Sequence, residues 1–145
     1  MKPFSMHPVL RYRKQLEDEA RQTFFASQAR ERELTCRLRD QEKSLRRLYD
    51  GLDRLRREGT TIDQLLLYEN RIALEREMLA GLREELARQH EQVKRCRRRL
   101  LNARQEKKAL EQLKKKQDLA YERYRERQEA AMLDEIAVLR HNKQV

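Results

Sequence analysis

The sequence has few of the residues that interrupt helices. Of its 145 residues only three are glycine, and no proline follows Pro8. Glycine and proline are the strongest helix breakers, so their scarcity permits unusually long helices. The chain also lacks tryptophan, and 38% of its residues are hydrophobic against 41% that are charged. Such a composition cannot fill the thick core of a globular domain of this length, but it can fill a narrow seam between two helices.

Long apolar runs are missing as well. Runs of consecutive apolar residues, such as Leu65–Tyr68, reach no more than four, whereas a helix needs roughly 20 to cross a bilayer. The first ten residues contain two prolines, a lysine and a histidine where a signal peptide would have its apolar centre. We therefore expect a cytosolic protein without direct membrane insertion.

No recognisable motif carries catalytic or metal chemistry. Cys36 and Cys96 belong to no C-x-x-C pair, and His7, His90 and His141 have no companions at metal-binding spacing. The sequence contains no glycine-rich phosphate loop and no nucleophile elbow. The sequence thus predicts a protein that is not an enzyme and needs no cofactor or metal.

Two mirrored apolar ladders are the main feature that the sequence does contain. One runs through positions 34, 38, 41, 45, 48, 52 and 55, and the other repeats the same steps in reverse from 65 to 86. Partners across the mirror, such as Leu48 and Ile72, have residue numbers that sum to 120. A repeat averaging about 3.5 residues is typical of left-handed coiled coils. The mirrored order predicts one chain folded back on itself.

Helix stop and start signals lie at the centre of this mirror. Gly59 suits the left-handed position after a helix, and Thr61 with Gln64 forms a capping box for the next one. The predicted fold is all-α: a long two-helix antiparallel coiled-coil hairpin in one domain over residues 1–145. Helix 1 is expected over about 8–58, the hinge near 59–61, and helix 2 over about 62–140. Glu31 opposite Gln89 is expected to form a polar layer in the seam.

The two ends of the hairpin are expected to differ. Near the N-terminus the ladder should slip, so that Leu16, Tyr12 and Val9 take over the apolar face. At the other end, helix 2 overhangs from about 113 to 140 without a partner. A lone amphipathic helix is marginal in water. Two alternatives could cover the apolar side of this overhang: an external partner, or the N-terminal residues Phe4 and Met6.

Nearly all of the net charge of +10 lies in residues 94–116 of helix 2, which we call the basic block. Eleven Lys or Arg residues are opposed there by two glutamates. Such a block can dock on an acidic protein surface or neutralise nucleic-acid phosphates. It contains no aromatic residue for base stacking. A basic arm for nucleic acid is therefore the alternative interpretation, and a protein partner is favoured.

A second candidate surface lies close to the hinge. Leu67, Leu74 and Met78 fall off the seam in a short outward stripe on helix 2, and Tyr49 flanks the seam on helix 1. Exposed apolar stripes can mark binding sites. Tyr68 is nearby, although the ladder places it in the seam.

Both ends of the chain resemble the FliJ family of the bacterial flagellar type III export apparatus, to which stalk proteins of virulence secretion systems are related. The similarity involves Phe4, Val9, Leu10, Tyr12 and Arg13 at the N-terminus, and residues 110–114, Tyr121, Gln128 and 133–137 at the C-terminus. The resemblance covers the whole chain and agrees with its length and hairpin pattern. A stalk protein of a virulence type III secretion system is the alternative that the same resemblance implies.

The resemblance implies partners and two contact surfaces. FliJ-like proteins resemble the central stalk of rotary ATPases, with the open end of the coiled coil in the hexameric export ATPase ring. The hinge side contacts the cytoplasmic domain of the membrane export gate, and export chaperones are further partners. The protein is expected to be a monomer, peripherally associated with the cytoplasmic membrane through this apparatus, with self-pairing of the overhang left open.

Residues for both contacts follow from the same resemblance. The expected ATPase-ring residues are Lys94, Arg95, Arg97, Arg98, Arg99, Arg104, Lys108, Lys114, Lys115, Tyr121, Tyr124, Leu133 and Ile136. The expected gate residues are Tyr49, Leu67, Tyr68, Leu74 and Met78.

Overall fold

Two α-helices make up almost all of residues 6–144, the part of the chain that the computed structural model describes. α1 runs from His7 to Glu58 and α2 from Ile62 to Gln144. No strand occurs in this part of the chain. The prediction of an all-α fold with two long helices is confirmed. Phe4, which contributes to the family resemblance and was one proposed cover for the overhang, lies outside the described residues.

Contacts divide the chain into two compact units. One, which we call the hinge unit, is Ala20–Leu100. The other, the terminal unit, combines Met1–Glu19 with Leu101–Val145. Each unit therefore contains a segment of α1 and a segment of α2, and each is described by itself below.

The turn between the helices needs a glycine. Gly59 has a φ of 85°, a left-handed conformation that strains any residue with a Cβ atom. At the start of α2 the backbone N–H of Gln64 donates to Thr61 Oγ1 at 3.3 Å, as the capping box predicts. The Gln64 side chain departs from the box, because its Oε1 accepts from Thr60 Oγ1 at 2.6 Å.

The core of the hinge unit is a single seam between α1 and α2. Its buried apolar side chains are Leu34, Leu52, Ile72, Leu79, Val93, Cys96 and Leu100. All of them occupy the predicted ladder positions. Burying a leucine-sized side chain contributes about 1.5–3 kcal/mol, so this short series of residues supplies most of the apolar stabilisation.

A buried carboxylate interrupts the seam near its middle. Glu75 is 6% exposed, and its Oε2 accepts hydrogen bonds from Gln41 Nε2 at 2.6 Å and from Ser44 Oγ at 3.0 Å. Arg71 Nε lies 3.5 Å from the other carboxylate oxygen. A slip of one helix along the other would leave this carboxylate buried without its donors, so the layer fixes the register.

A second polar layer has different members from those expected. Gln89 Nε2 donates to the carbonyl oxygen of Ser27 at 2.9 Å and to its hydroxyl at 3.1 Å. The expected partner, Glu31, was wrong: its carboxylate lies 2.7 Å from Nδ1 of His90. Glu31 can keep this partly exposed position, whereas a buried carboxylate opposite an amide would lose its hydration.

The N-terminal segment of α1, in the terminal unit, also departs from expectation. Leu10 and Glu17 are buried, whereas Val9 and Tyr12 are 39% and 56% exposed. Leu16 is partly buried, but the predicted slip of the ladder to Tyr12 and Val9 was wrong. Glu17 occupies the seam position that the slip would have given to an apolar residue. Its burial is possible because two basic side chains of α2 neutralise its carboxylate.

We predict that Gly59→Ala lowers the free energy of unfolding by about 1 kcal/mol, because its Cβ would occupy the left-handed region. Gly81→Ala is the matched control. Gly81 lies inside α2, and no atom lies within 4 Å of an added Cβ. This change should stabilise the protein by about 0.5–1 kcal/mol through helix propensity. Urea unfolding followed by circular dichroism measures both, and equal effects would contradict the left-handed turn.

Candidate interaction surfaces

The C-terminal part of α2 exposes its whole circumference. Every residue from Glu122 to Lys143, a segment we call the exposed tail, is exposed. Met132, Leu133, Ile136 and Leu139 are 63%, 67%, 44% and 60% exposed. At about 3.6 residues per turn, Met132, Ile136 and Leu139 share one side of the helix, and Leu133 borders it. The predicted overhang is therefore present, with an apolar stripe.

The start of the overhang is less exposed than the sequence indicated. An unpartnered segment was expected from about 113, but partly buried side chains continue to Tyr121. Tyr124 is 39% exposed, and its hydroxyl accepts a hydrogen bond from Gln128 Nε2 at 2.7 Å. This pair spans one helical turn and supports the helix where the exposed tail begins.

The part of the basic block that lies in the hinge unit is only partly neutralised. Lys94 Nζ lies 3.4 Å from Glu91, and the Arg97 guanidinium lies 5.6 Å from the centre of the Phe24 ring, in the geometry of a cation–π contact. Three exposed arginines have no ion pair with any described residue: Arg95, Arg98 and Arg99. Their charge is therefore available to a partner.

The part of the block in the terminal unit is held largely by α1. Glu17 is 3% exposed, Arg104 Nε lies 3.6 Å from its carboxylate, and Lys107 Nζ contacts the same group. Arg13 pairs with Glu106 at 2.5 Å. Within residues 6–144, four further lysines form no ion pair: Lys108, Lys114, Lys115 and Lys116. Lys114 is partly buried and the other three are exposed.

Arg104 thus has a structural task that the sequence reasoning missed. It was expected to be a free cation for a partner, whereas the structure engages it with Glu17. A carboxylate as buried as Glu17 needs charged or hydrogen-bonding partners to offset its lost hydration. The mirror rule contained the signal, because position 17 is opposite position 103, one residue before Arg104 and four before Lys107.

The expected apolar stripe near the hinge is exposed. Leu67, Leu74 and Met78 are 69%, 54% and 52% exposed, and Tyr49 is 39% exposed. Sequence reasoning missed two further exposed apolar residues of α2 near the hinge: Ile62 and Leu66, with 76% and 49% exposure. They lie about 100–140° around the helix from the stripe and do not extend it.

Tyr68 differs from the other expected gate residues. Its ring packs over Gly51, since a Cβ added there would lie 3.1 Å from both Cε1 and Oη of the tyrosine. Tyr68 is partly buried. It also lines an open groove of about 250 Å³ together with Leu48, Leu67 and Arg71. One edge of the ring is therefore accessible from outside, while its face completes the seam.

The described residues contain no group of three or more His, Cys, Asp or Glu side chains that could hold a metal ion. Neither helix, over these described residues, has a stretch long and apolar enough to cross a membrane.

Within each unit α1 packs antiparallel to α2, and the outward-facing stripes and the exposed tail are surfaces open to partners. The family described as "Flagellar FliJ protein" matches residues 1–145. The chain belongs to the FliJ family, and we assign it accordingly to the flagellar type III export apparatus.

Two other comparisons were made. Among solved structures, the chain is similar to a YscO homologue from Chlamydia trachomatis, with 22% sequence identity and a TM-score of 0.47. The alignment covers 98% of this chain and 96% of that one. No match was found among curated proteins.

We predict that Glu17→Gln lowers the free energy of unfolding by about 1–3 kcal/mol, because it leaves two clustered cations without their carboxylate. Glu129→Gln in the exposed tail is the control. Glu129 has no ion pair among the described residues, so its replacement should stay within about 0.5 kcal/mol. Thermal unfolding measures both variants. If the two losses were the same, Glu17 would have no special role in joining α1 to α2.

Proposed function

We propose that this protein is the stalk that joins the export ATPase ring to the cytoplasmic domain of the membrane export gate. The exposed tail is the observation that carries this proposal. Its stripe of Met132, Ile136 and Leu139 is left in water, where an isolated helix of this kind is marginal. Insertion into the centre of a ring would cover that stripe on all sides.

The free part of the basic block supplies the second element of the ATPase contact. Lys108 and Lys115 in the terminal unit, and Arg98 and Arg99 in the hinge unit, have no ion pair within residues 6–144. We expect them to meet acidic loops of the ring and to speed the encounter. Arg104 is removed from this set, because it already neutralises a buried carboxylate.

The mixture of few apolar anchors and many charges suits a stalk. A large dry interface is typical of obligate, permanent assemblies. A contact made by a short apolar stripe and solvated cations is weaker and can be rearranged between equivalent positions in a ring. We infer that the charged surface allows the ring to engage the stalk without fixing it in one orientation.

The opposite contact is proposed for the stripe near the hinge. Leu67, Leu74 and Met78 are exposed and adjacent on the outward side of α2, and Tyr49 offers a further aromatic side chain on α1. Apolar and aromatic anchors of this kind commonly dominate protein interfaces. We assign this surface to the cytoplasmic domain of the export gate, and we propose export chaperones as additional partners.

Met132→Gln combined with Ile136→Gln is expected to weaken binding to the export ATPase at least tenfold, because polar side chains replace two residues of the tail stripe. Glutamine is a good helix former, so helicity should persist. The matched control is Leu119→Gln with Val138→Gln, two exposed residues that lie off the stripe. Stimulation of the ATPase and binding by calorimetry are the measurements. If the control pair lost as much as the test pair, the stripe would not be the contact.

Leu67→Gln combined with Leu74→Gln should weaken binding to the cytoplasmic domain of the gate about tenfold or more, while ATPase stimulation remains. The tail variant should show the reverse pattern. Binding to each partner, measured for both variants, therefore tests two surfaces with one set of proteins. A variant that lost both partners while remaining folded would contradict the assignment of separate contacts.

A further inference from the structure

The outward side of α1 in the hinge unit carries a row of arginines at coiled-coil spacing. Arg32, Arg39 and Arg46 are each seven residues apart. All three are exposed and form no ion pair with any residue the structure describes. They lie one residue beyond seam positions such as 38 and 45, and therefore point away from α2. We call these residues the cation row.

The outward side of α2 carries a matching row of carboxylates. Glu77, Glu84 and Glu91 are also seven residues apart and exposed. Glu91 has a contact with Lys94 at 3.4 Å, but both side chains are 67% exposed, so water and salt compete with this pair. Glu77 and Glu84 form no ion pair within residues 6–144. We call these three residues the acid row.

The two rows are in register with each other. The pairs Arg46–Glu77, Arg39–Glu84 and Arg32–Glu91 have residue numbers that all sum to 123, close to the sum of 120 that describes the seam. The rows therefore occupy the same stretch of the hairpin. They lie on opposite outer sides and cannot meet within one chain, but the cation row of one copy can meet the acid row of another.

Small residues beside the acid row make room for a neighbouring helix. Ala73, Ala80 and Ala87 are exposed and repeat every seven residues next to the glutamates. Gly81 has no atom within 4 Å of the position its Cβ would take. The distance between packed helices falls with the size of the side chains at the contact, so long arginine side chains can cross this side of α2 to reach the carboxylates.

We propose that copies of this protein associate side by side, with the cation row of one copy on the acid row of the next and both hinges pointing the same way. α1 of one copy then lies antiparallel to α2 of its neighbour. The contact is heterologous, because each copy uses a different surface on each side. Such contacts generate open or ring assemblies rather than closed dimers.

A second copy fits the cation row better than a polyphosphate does. Asp40 lies beside Arg39 on α1, has no ion pair within residues 6–144, and would repel the broad negative surface of a duplex or membrane. A single row of carboxylates on a helix can pass beside it. The cation row and the acid row have the same seven-residue spacing and the same register, as two packed helices require. A phosphate backbone does not have this spacing.

The association should be weak and sensitive to salt. Exposed ion pairs contribute little individually, and they are screened over about 8 Å at physiological ionic strength. We therefore expect assembly at high protein concentration and low salt, with the association constant falling at least tenfold as salt rises to physiological levels. The proposal does not depend on the stalk function, because neither row includes a tail or gate residue.

Charge exchange between two variants tests the contact. One variant is R39E/R46E and the other is E77R/E84R, and circular dichroism verifies that both remain helical. In sedimentation velocity at low salt, the wild-type chain should associate with rising concentration. Each variant alone should lose association at least tenfold, because its rows then have the same sign. An equimolar mixture should recover it, since every row again meets a row of opposite sign.

The control R123E/R127E has the same change in net charge as R39E/R46E but places it in the exposed tail, so it should associate like the wild type. Loss of association in this control would assign self-pairing to the tail and overturn the proposal. A wild-type chain that stays monomeric at low salt, or a mixture that fails to recover association, would overturn it too. Duplex DNA binding that required the cation row, without self-association, would replace the second copy by nucleic acid.

Discussion

Each unit depends on the burial of a narrow seam between α1 and α2, in a chain in which charged residues outnumber hydrophobic ones. A two-helix coiled coil has no second layer, so a side chain on either helix is in the seam, at its edge, or in water. Every outward row and stripe is consequently fixed by the register of the seam. Glu75, with donors from Gln41 and Ser44 on the opposite helix, sets that register more strictly than leucines alone could, because apolar contacts tolerate a slip and a buried carboxylate does not.

The same constraint separates two kinds of charge in this protein. Glu17 and Arg104 serve the contact between α1 and α2, and replacing either would affect folding first. Arg98, Arg99 and the two outward rows have no such task in residues 6–144, and any effect of their replacement must come through partners. A count of charges along the sequence does not distinguish charges that join α1 to α2 from charges that are available to a partner. The basic block is therefore a smaller interaction surface than its composition indicates, and the outward side of α1 is a larger one.

Periodicity was sufficient to predict the helices, the hinge and the overhang, because each follows from local chemistry: few breakers, a left-handed glycine and unequal apolar ladders. It failed near the N-terminus, where a seam position is polar. Glu17 was missed there, and Val9 and Tyr12 were chosen for their hydrophobicity, although the structure exposes them. A polar side chain enters a seam only if distant residues satisfy it, and those partners are more than 60 residues away along the chain. No local pattern contains that information.

The exposed tail shows what an uninterrupted helix provides beyond stability. No glycine or proline ends α2 after the paired region, and short-range pairs such as Tyr124–Gln128 support its first turns. Such a segment gains little from folding alone, since its apolar stripe stays in water. A partner that covers the stripe adds the missing apolar burial to a helix whose direction the preceding turns already set. We therefore expect the tail to bind at a smaller entropic cost than a disordered segment would incur. A chain with little core can in this way still present a contact of defined direction at the end of its helix.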